Sequence, residues 1–259
     1  WITYPYSSDD YNGCVYDEIK EALWVSTTRS GIKLIDIENG EVIETVTITD
    51  GLSNNEILSI TMDENSRLWV STDGGGTSIN NGDVWVNIDS RDGLINNSVN
   101  DVYQIDSSTY VISTQNGYSI YENRKIKNTL KVNQVIGTQK IDDVYTTQQN
   151  NYIYIELAPT DYITHPKKYK FKYKVDNSWE TISGSSTINF FTSKSGSNDF
   201  EIQYIDRDLN YSEIENIRIY VLKPWYLRTN IAVPLYGGAL ILLITTIYSL
   251  FKYLRKRRH

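Results

Sequence analysis

Up to Leu222 the chain carries apolar residues in short alternating or continuous runs, punctuated by Gly, Asn, Asp and Ser. A period of two, broken by turn formers, predicts β-strands. ILSITMD from Ile57, LWVST from Leu68, TSIN from Thr77 and VWVNI from Val84 read as four successive strands. YIYIEL from Tyr152, KYKFKYKV from Lys168, TINFF from Thr187, DFEIQYI from Asp199 and IRIYVL from Ile217 have the same character. The pattern then changes. From Ile231 to Phe251 no residue is charged, and a helix of that length covers about 30 Å, the hydrocarbon thickness of a bilayer. One transmembrane helix is expected over 231–251, with Trp225 and Tyr226 at one interface and Lys252, Arg255, Lys256, Arg257 and Arg258 at the other. By the positive-inside rule the basic end is cytoplasmic, which puts everything before Pro224 outside. Pro234 is expected in the first helical turn, where its missing N–H is not needed. Gly237 and Gly238 would let a second helix approach.

The strand runs repeat. DGLSNNEI at Asp50–Ile57 returns 42 residues later as DGLINNSV at Asp92–Val99. LWVST at Leu23 returns at Leu68, and YVIST at Tyr110 continues the series. Propeller blades have such a period, about 40–50 residues with several strands each. Each unit reads as four strands, and WITY at Trp1, two repeats before Trp85, reads as the outer strand of a preceding blade. Three blades and one strand would leave open sheet edges, since a ring normally takes about four or more blades, so further blades are expected upstream in a longer chain, with blades supplied by another subunit as the alternative. From Leu130 to Leu222 the repeat is lost while strands continue at the spacing of a sandwich, with Trp179 as a core or sheet-packing aromatic.

The expected organisation is therefore an all-β ectodomain plus one transmembrane helix. It comprises a partial β-propeller of about three blades over 1–129 and an immunoglobulin- or fibronectin-like β-sandwich over 130–223. A connector over 224–230, the span over 231–251 and a basic cytoplasmic stub over 252–259 follow.

Charge and composition narrow the function. The 259-residue chain has a formal net charge of −7, and its last eight residues contribute five positive charges and no acid, so the ectodomain is more acidic still. An acidic exterior disfavours nucleic acid as a partner. The single cysteine, Cys14, excludes an internal disulfide framework and fits a bacterial envelope protein. No charged-then-apolar leader precedes Trp1, and His259 follows the span closely, so the sequence is expected to be a fragment of a longer exported protein.

Catalytic equipment is sparse. The histidines are His165, beside Pro166, and His259 at the end, so a histidine metal site or a Ser/His/Asp triad would rest on His165 alone, which reads as structural or solvated. GGGTS at Gly74–Ser78 lacks the Lys of a phosphate-binding loop and precedes a strand, so it reads as a hairpin turn. Asp63/Glu64 and Asp206/Asp208 fit no calcium-loop pattern and read as turn formers at strand ends. No cofactor or metal is expected. Aromatic faces stack on sugar rings, which makes Trp85, near Asp89 and Arg91, the ligand-binding candidate. The repeat sets Trp85 opposite Ile43, so apolar packing is its competing role.

The DGL…N…V turn followed by LWVST resembles the two-component regulator propeller repeat. YKFKYKVDNSW at Tyr169–Trp179, FEIQYIDRDLNYS from Phe200 and KPWYLRTN before the span resemble the triple-tyrosine (Y_Y_Y) domain that follows such propellers. In that order, over nearly the whole chain, these motifs are similar to hybrid two-component sensors of the Bacteroidetes type. The chain departs from that family by carrying few blades and no cytoplasmic output. The resemblance implies a single-pass protein of the bacterial inner membrane with a periplasmic ectodomain, a homodimer, an oligosaccharide ligand and a histidine kinase in the parent. This chain itself is then no enzyme. Its expected role is to relay ligand binding through the sandwich and connector to the helix. Trp225, Tyr226 and the basic residues after the span would anchor it, and Trp85 and Arg91 would be its ligand contacts. A membrane-anchored propeller carbohydrate-active enzyme, a receptor with direct DNA-binding output and a passive adhesion module are the alternatives.

Overall fold

The computed structural model describes residues 10–141, 144–175 and 178–256. The strand expected at Trp1 and the basic residues Arg257 and Arg258 lie outside them. The chain falls into two compact units. The first holds the residues up to Val132 with Leu157–Ser186 and Glu201–Glu215, and the second holds Asn133–Glu156, Thr187–Phe200 and the chain from Asn216 onward.

The first unit opens with three antiparallel sheets whose strands pair in chain order. β1 (Tyr11–Asp17), β2 (Ala22–Thr27), β3 (Ile32–Ile35) and β4 (Val42–Val46) make one, and β5 (Ile57–Met62), β6 (Leu68–Thr72), β7 (Gly76–Asn80) and β8 (Trp85–Ile88) the next. β9 (Val99–Gln104), β10 (Thr109–Thr114) and β11 (Gly117–Glu122) make the third. The middle sheet is covered on both faces. Ile57, Ile60, Leu68 and Val70 share a core with Trp24, Ile32 and Leu34 of the first sheet. Trp69, Ile79, Val86 and Ile88 share another with Val99, Val102, Tyr110 and Ile112 of the third. Burial on both sides explains why LWVST is buried at every position instead of alternating.

Two local devices recur from sheet to sheet. Asp17 and Asp63 each close the first hairpin by accepting backbone N–H groups of the turn, from Ile19 and Lys20 and from Asn65 and Arg67. Each also accepts the indole N–H of the next strand, Trp24 at 3.0 Å and Trp69 at 2.9 Å. Gly31 and Gly76 both enter the third strand at positive φ, 74° and 88°, where a Cβ would stand 2.1 Å from the carbonyl oxygen of Val46 or Ile88. Only glycine fits such a backbone approach.

The third sheet departs from the expected four strands. Its described part has three, because Asn123–Thr129 forms no strand and is taken up by side-chain bonds to the turn Asp206–Asn210. Asn123 donates to the Asp208 carbonyl, Asn128 to the Asp206 carboxylate, and Asn210 to the Arg124 carbonyl. Tyr121 of β11 donates to the Asp208 carboxylate at 2.6 Å.

Beyond these three sheets the strands are β12 (Leu130–Ile136), β13 (Gln139–Ile141), β14 (Val144–Gln148), β15 (Tyr152–Pro159), β16 (Lys170–Val175), β17 (Ser178–Ser183), β18 (Thr187–Phe191), β19 (Gly196–Ile205) and β20 (Glu215–Leu222). In the first unit β16 pairs with β17 and with Glu201–Ile205 of β19. The strand expected from Lys168 begins at Lys170, since Pro166–Lys168 winds into a 3-10 turn whose N-cap is His165. Trp179 on β17 is 39% exposed, with the Lys172 and Lys174 ammonium groups 5.4 and 5.9 Å from its ring centre. It therefore packs on the sheet surface, under cations, rather than in a core.

In the second unit β15 pairs antiparallel with β18 and β14 pairs parallel with β20. Ile153, Ile155, Ile188, Phe200, Ile219 and Val221 are buried there, and Phe190 meets Phe200 edge to face at 5.1 Å. After β20 a 3-10 turn, Trp225–Leu227, leads into α1 (Thr229–Lys256). The helix has 28 residues, about 42 Å at 1.5 Å per residue, and within Thr229–Arg255 an 18-residue window has a mean hydropathy of 1.9 with none of it buried. It is long and apolar enough to cross a membrane. Because it starts at Thr229, Pro234 sits inside it and not in its first turn. The Asn230 carbonyl therefore has no i+4 N–H to accept.

Candidate functional site

The residues singled out for chemistry serve the backbone. His165 accepts the Lys167 N–H through Nδ1 at 3.3 Å. Gly74 lies in the turn joining β6 to β7, with φ of 80°. Asp63 ties Arg67, Trp69 and Tyr110 together through one carboxylate oxygen. Asp206 accepts the backbone N–H groups of Asp208 and Asn210 at 2.9 and 2.8 Å. Among the described residues no three His, Cys, Asp or Glu side chains gather in a way that would hold a metal ion.

What the first unit does build is a polar seam around the end of β8. Lys168, from the 3-10 turn before β16, reaches the Asp89 carboxylate at 2.9 Å, the Asn87 carbonyl at 3.1 Å and the Asp92 carboxylate. Arg207 donates to the Asp92 carbonyl at 3.2 Å. Lys172 donates to Asp83 at 2.6 Å, and the Tyr211 hydroxyl donates to the same carboxylate at 3.0 Å. The Lys168 and Asp89 side chains are only 11% and 9% exposed, so this pair is desolvated and depends on its full set of partners. Burial alone would push the Asp89 carboxyl up. Hydrogen bonds from Arg91 and Lys168 outweigh it and hold the group well below the usual carboxylate range. Burial pushes the Tyr211 hydroxyl up to about 12, so it stays a donor at any physiological pH.

Two adjoining clefts open beside this seam. One, of about 420 Å³, is lined by residues including Ser53, Asp89, Arg91, Asn97, Lys167 and Lys168. The other, of about 500 Å³, is lined by residues including Asp50, Gly51, Asp83, Trp85 and Thr181. Leu52, Asn87, Lys170 and Ser183 border both. Both volumes fall in the roughly 300–1,000 Å³ range of small-molecule pockets. The sequence-level ligand candidates thus sit on neighbouring clefts. Trp85 is half-buried, with part of its surface against the core of the first two sheets and its Cβ close over Gly51. Arg91 is held by Asp89, with Nη2 2.5 Å from Oδ2, and keeps its side chain 52% exposed. Lys170, Asn87 and Ser183 escaped the sequence reading, because a Lys in an alternating KYKFKYKV strand looks like any solvated one.

The membrane-flanking residues belong to the second unit. Trp225 and Tyr226 are exposed, 61% and 43%, and meet edge to face at 5.8 Å. Lys252 and Arg255 are exposed on the last turns of α1, where Lys256 closes the helix. The joint before the helix is short and bonded. Leu227 N–H donates to the Pro224 carbonyl at 2.9 Å, and Arg228 Nε donates to the Lys223 carbonyl at 3.1 Å.

No protein-family model and no curated protein matches the chain. Solved structures resemble it at low identity. One is the extracellular domain of BT3049 from B. thetaiotaomicron, assigned to the hybrid two component systems (15% identity, TM-score 0.37, 83% of this chain and 44% of that one). Another is the extracellular domain of BT4673 from the same organism, assigned to the one component systems (20%, 0.33, 83% and 31%). A third is PorZ of Porphyromonas gingivalis, a surface component of the type-IX secretion system (11%, 0.35, 82% and 30%). The chain spans less than half the length of each of these. At such identities and scores the likeness decides nothing about activity.

Proposed function

We propose that this chain is the membrane-proximal part of an extracytoplasmic glycan receptor, passing ligand binding from the β-built head through the connector to the membrane helix. The observation that carries this reading is the joint itself. Between the last residue of β20, Leu222, and the first of α1, Thr229, stand only six residues, three of which, Trp225–Leu227, wind into a hydrogen-bonded 3-10 turn. Arg228 also reaches the Gln148 side chain at 3.4 Å, next to the parallel β14–β20 pair. So stiff a joint would pass a displacement of β20 to the helix instead of absorbing it in a loose linker. The basic helix end lies on the cytoplasmic side and the sheets lie in the periplasm. Two copies pair through their helices, and the ligand shifts that pairing.

Disulfide crosslinking of single cysteines along Leu240–Ile247 tests this, in a Cys14→Ser background because Cys14 is exposed. A mixture of host and plant oligosaccharides should change which positions crosslink. An identical pattern with and without the mixture, or no crosslinking at any position, would overturn the relay.

A further inference from the structure

We infer that the paired clefts take an acidic oligosaccharide, with its carboxylate or sulfate in the smaller cleft against Lys170 and its neutral rings over Trp85 in the larger. The inference rests on the glycan-receptor reading and adds the chemical class of the ligand. Lys170 Nζ donates to Ser183 Oγ at 3.1 Å, and among the described residues no carboxylate lies within ion-pair distance of it or of Lys167. The neighbouring cations are already matched: Arg91 with Asp89, and Lys168 with Asp89 and Asp92. The lining of the smaller cleft therefore carries two lysines in excess, Lys170 and the exposed Lys167, within a chain whose net charge is −7. A half-buried cation without a counter-ion is costly unless something supplies one, and burial pushes Lys170 below the usual lysine range.

The larger cleft has the opposite polarity. Asp50 and Asp83 line it beside the Trp85 ring, which suits sugar hydroxyl donors and an apolar ring face, and repels a second acid group. Asn87, shared by both clefts, has a buried Oδ1 with no donor, and a ligand hydroxyl or its bridging water would provide one. An aromatic face, hydroxyl acceptors and an unmatched cation together describe a saccharide that is acidic at one end.

Calorimetric titration of the full chain in detergent tests this with four probes: aldotriouronic acid, lactose 3′-sulfate, and their neutral counterparts xylotriose and lactose. At least one acidic probe should bind ten-fold or more tighter than its neutral counterpart, weaken as salt is raised, and lose at least ten-fold in Lys170→Gln. Lys125→Gln, far along the chain from the clefts, should leave binding unchanged. The two acidic arms separate a carboxylate from a sulfate ligand. Removing an unmatched cation should leave Tm level or higher, and Lys167→Gln is the second variant. Equal binding of acidic and neutral probes, or undiminished affinity in both variants, overturns the inference and leaves the receptor reading to the crosslinking test. Failure of all four probes to bind overturns it as well.

Discussion

Single side chains explain most of what holds the first three sheets together. Asp63 accepts two backbone N–H groups, the Trp69 indole, the Arg67 guanidinium and the Tyr110 hydroxyl. Asp63→Ala strands all five donors, four of them in or beside a core, and should cost about 3 kcal/mol in chemical denaturation. Lys20→Ala, at an exposed ion pair, should cost less than about 0.5 kcal/mol. Asp89 gives a pH test. Its folded pKa is depressed, so its contribution is fully present above the unfolded value of about 4 and is lost as pH falls through the range below it. Tm measured from pH 6 to pH 3 should fall in the wild type, while Asp89→Asn should be less stable at pH 6, by about 2 kcal/mol in chemical denaturation, and its Tm should fall less. Equal slopes would show that Asp89 is not stabilised in this way. That Asp63 and Asp206 form turns was legible in the sequence, because Asp at the end of a strand-like run has that local role. That Asp63 also holds Tyr110 of the next sheet was not.

At the scale of elements, each strand of the middle sheet follows from its own residues. ILSITM, LWVST, GTSIN and WVNI form β5 to β8 within a residue or two of where periodicity puts them. Gly76→Ala should be destabilising by at least about 2 kcal/mol, since its backbone lies at positive φ and against the Ile88 carbonyl. Gly82→Ala, at positive φ but in open space, should cost less, and a reversed order would remove the close approach as the cause. β17 was not anticipated, because SWETIS has no apolar alternation and becomes a strand by pairing with β16. The opposite holds for Asn123–Thr129, whose asparagines find partners in the Asp206–Asn210 turn in place of a ladder. In α1, Pro234→Ala would supply the missing bond to Asn230. Amide exchange over the first two turns in detergent should slow, and unchanged exchange would mean that the carbonyl is already satisfied by another group.

At the scale of the whole molecule, β20 of the second unit continues into an apolar helix through six residues. Orientation is the property on which the receptor reading depends. In spheroplasts of cells exporting the chain behind a signal sequence, Cys14 should react with a membrane-impermeant maleimide. A cysteine replacing Tyr253, in the Cys14→Ser background, should be protected until the membrane is opened. The reverse labelling would put the sheets in the cytoplasm and end the receptor reading.

The strands of the alternating runs and the apolar span were determined by the sequence alone, because each depends on spacing between near neighbours along one element, and the repeat near 42 residues is a self-similarity of the sequence itself. Tertiary structure decided the rest: which face of each sheet is covered, why Asn123–Thr129 joins no strand, and which cations keep a counter-ion. Lys168 and Asp89 are 79 residues apart and meet at 2.9 Å, while Lys170, two residues on, meets no carboxylate among the described residues. Charge pairing depends on distance in space, which periodicity along the chain does not encode. The clefts and their unmatched lysine therefore appear only once the strands are laid against one another.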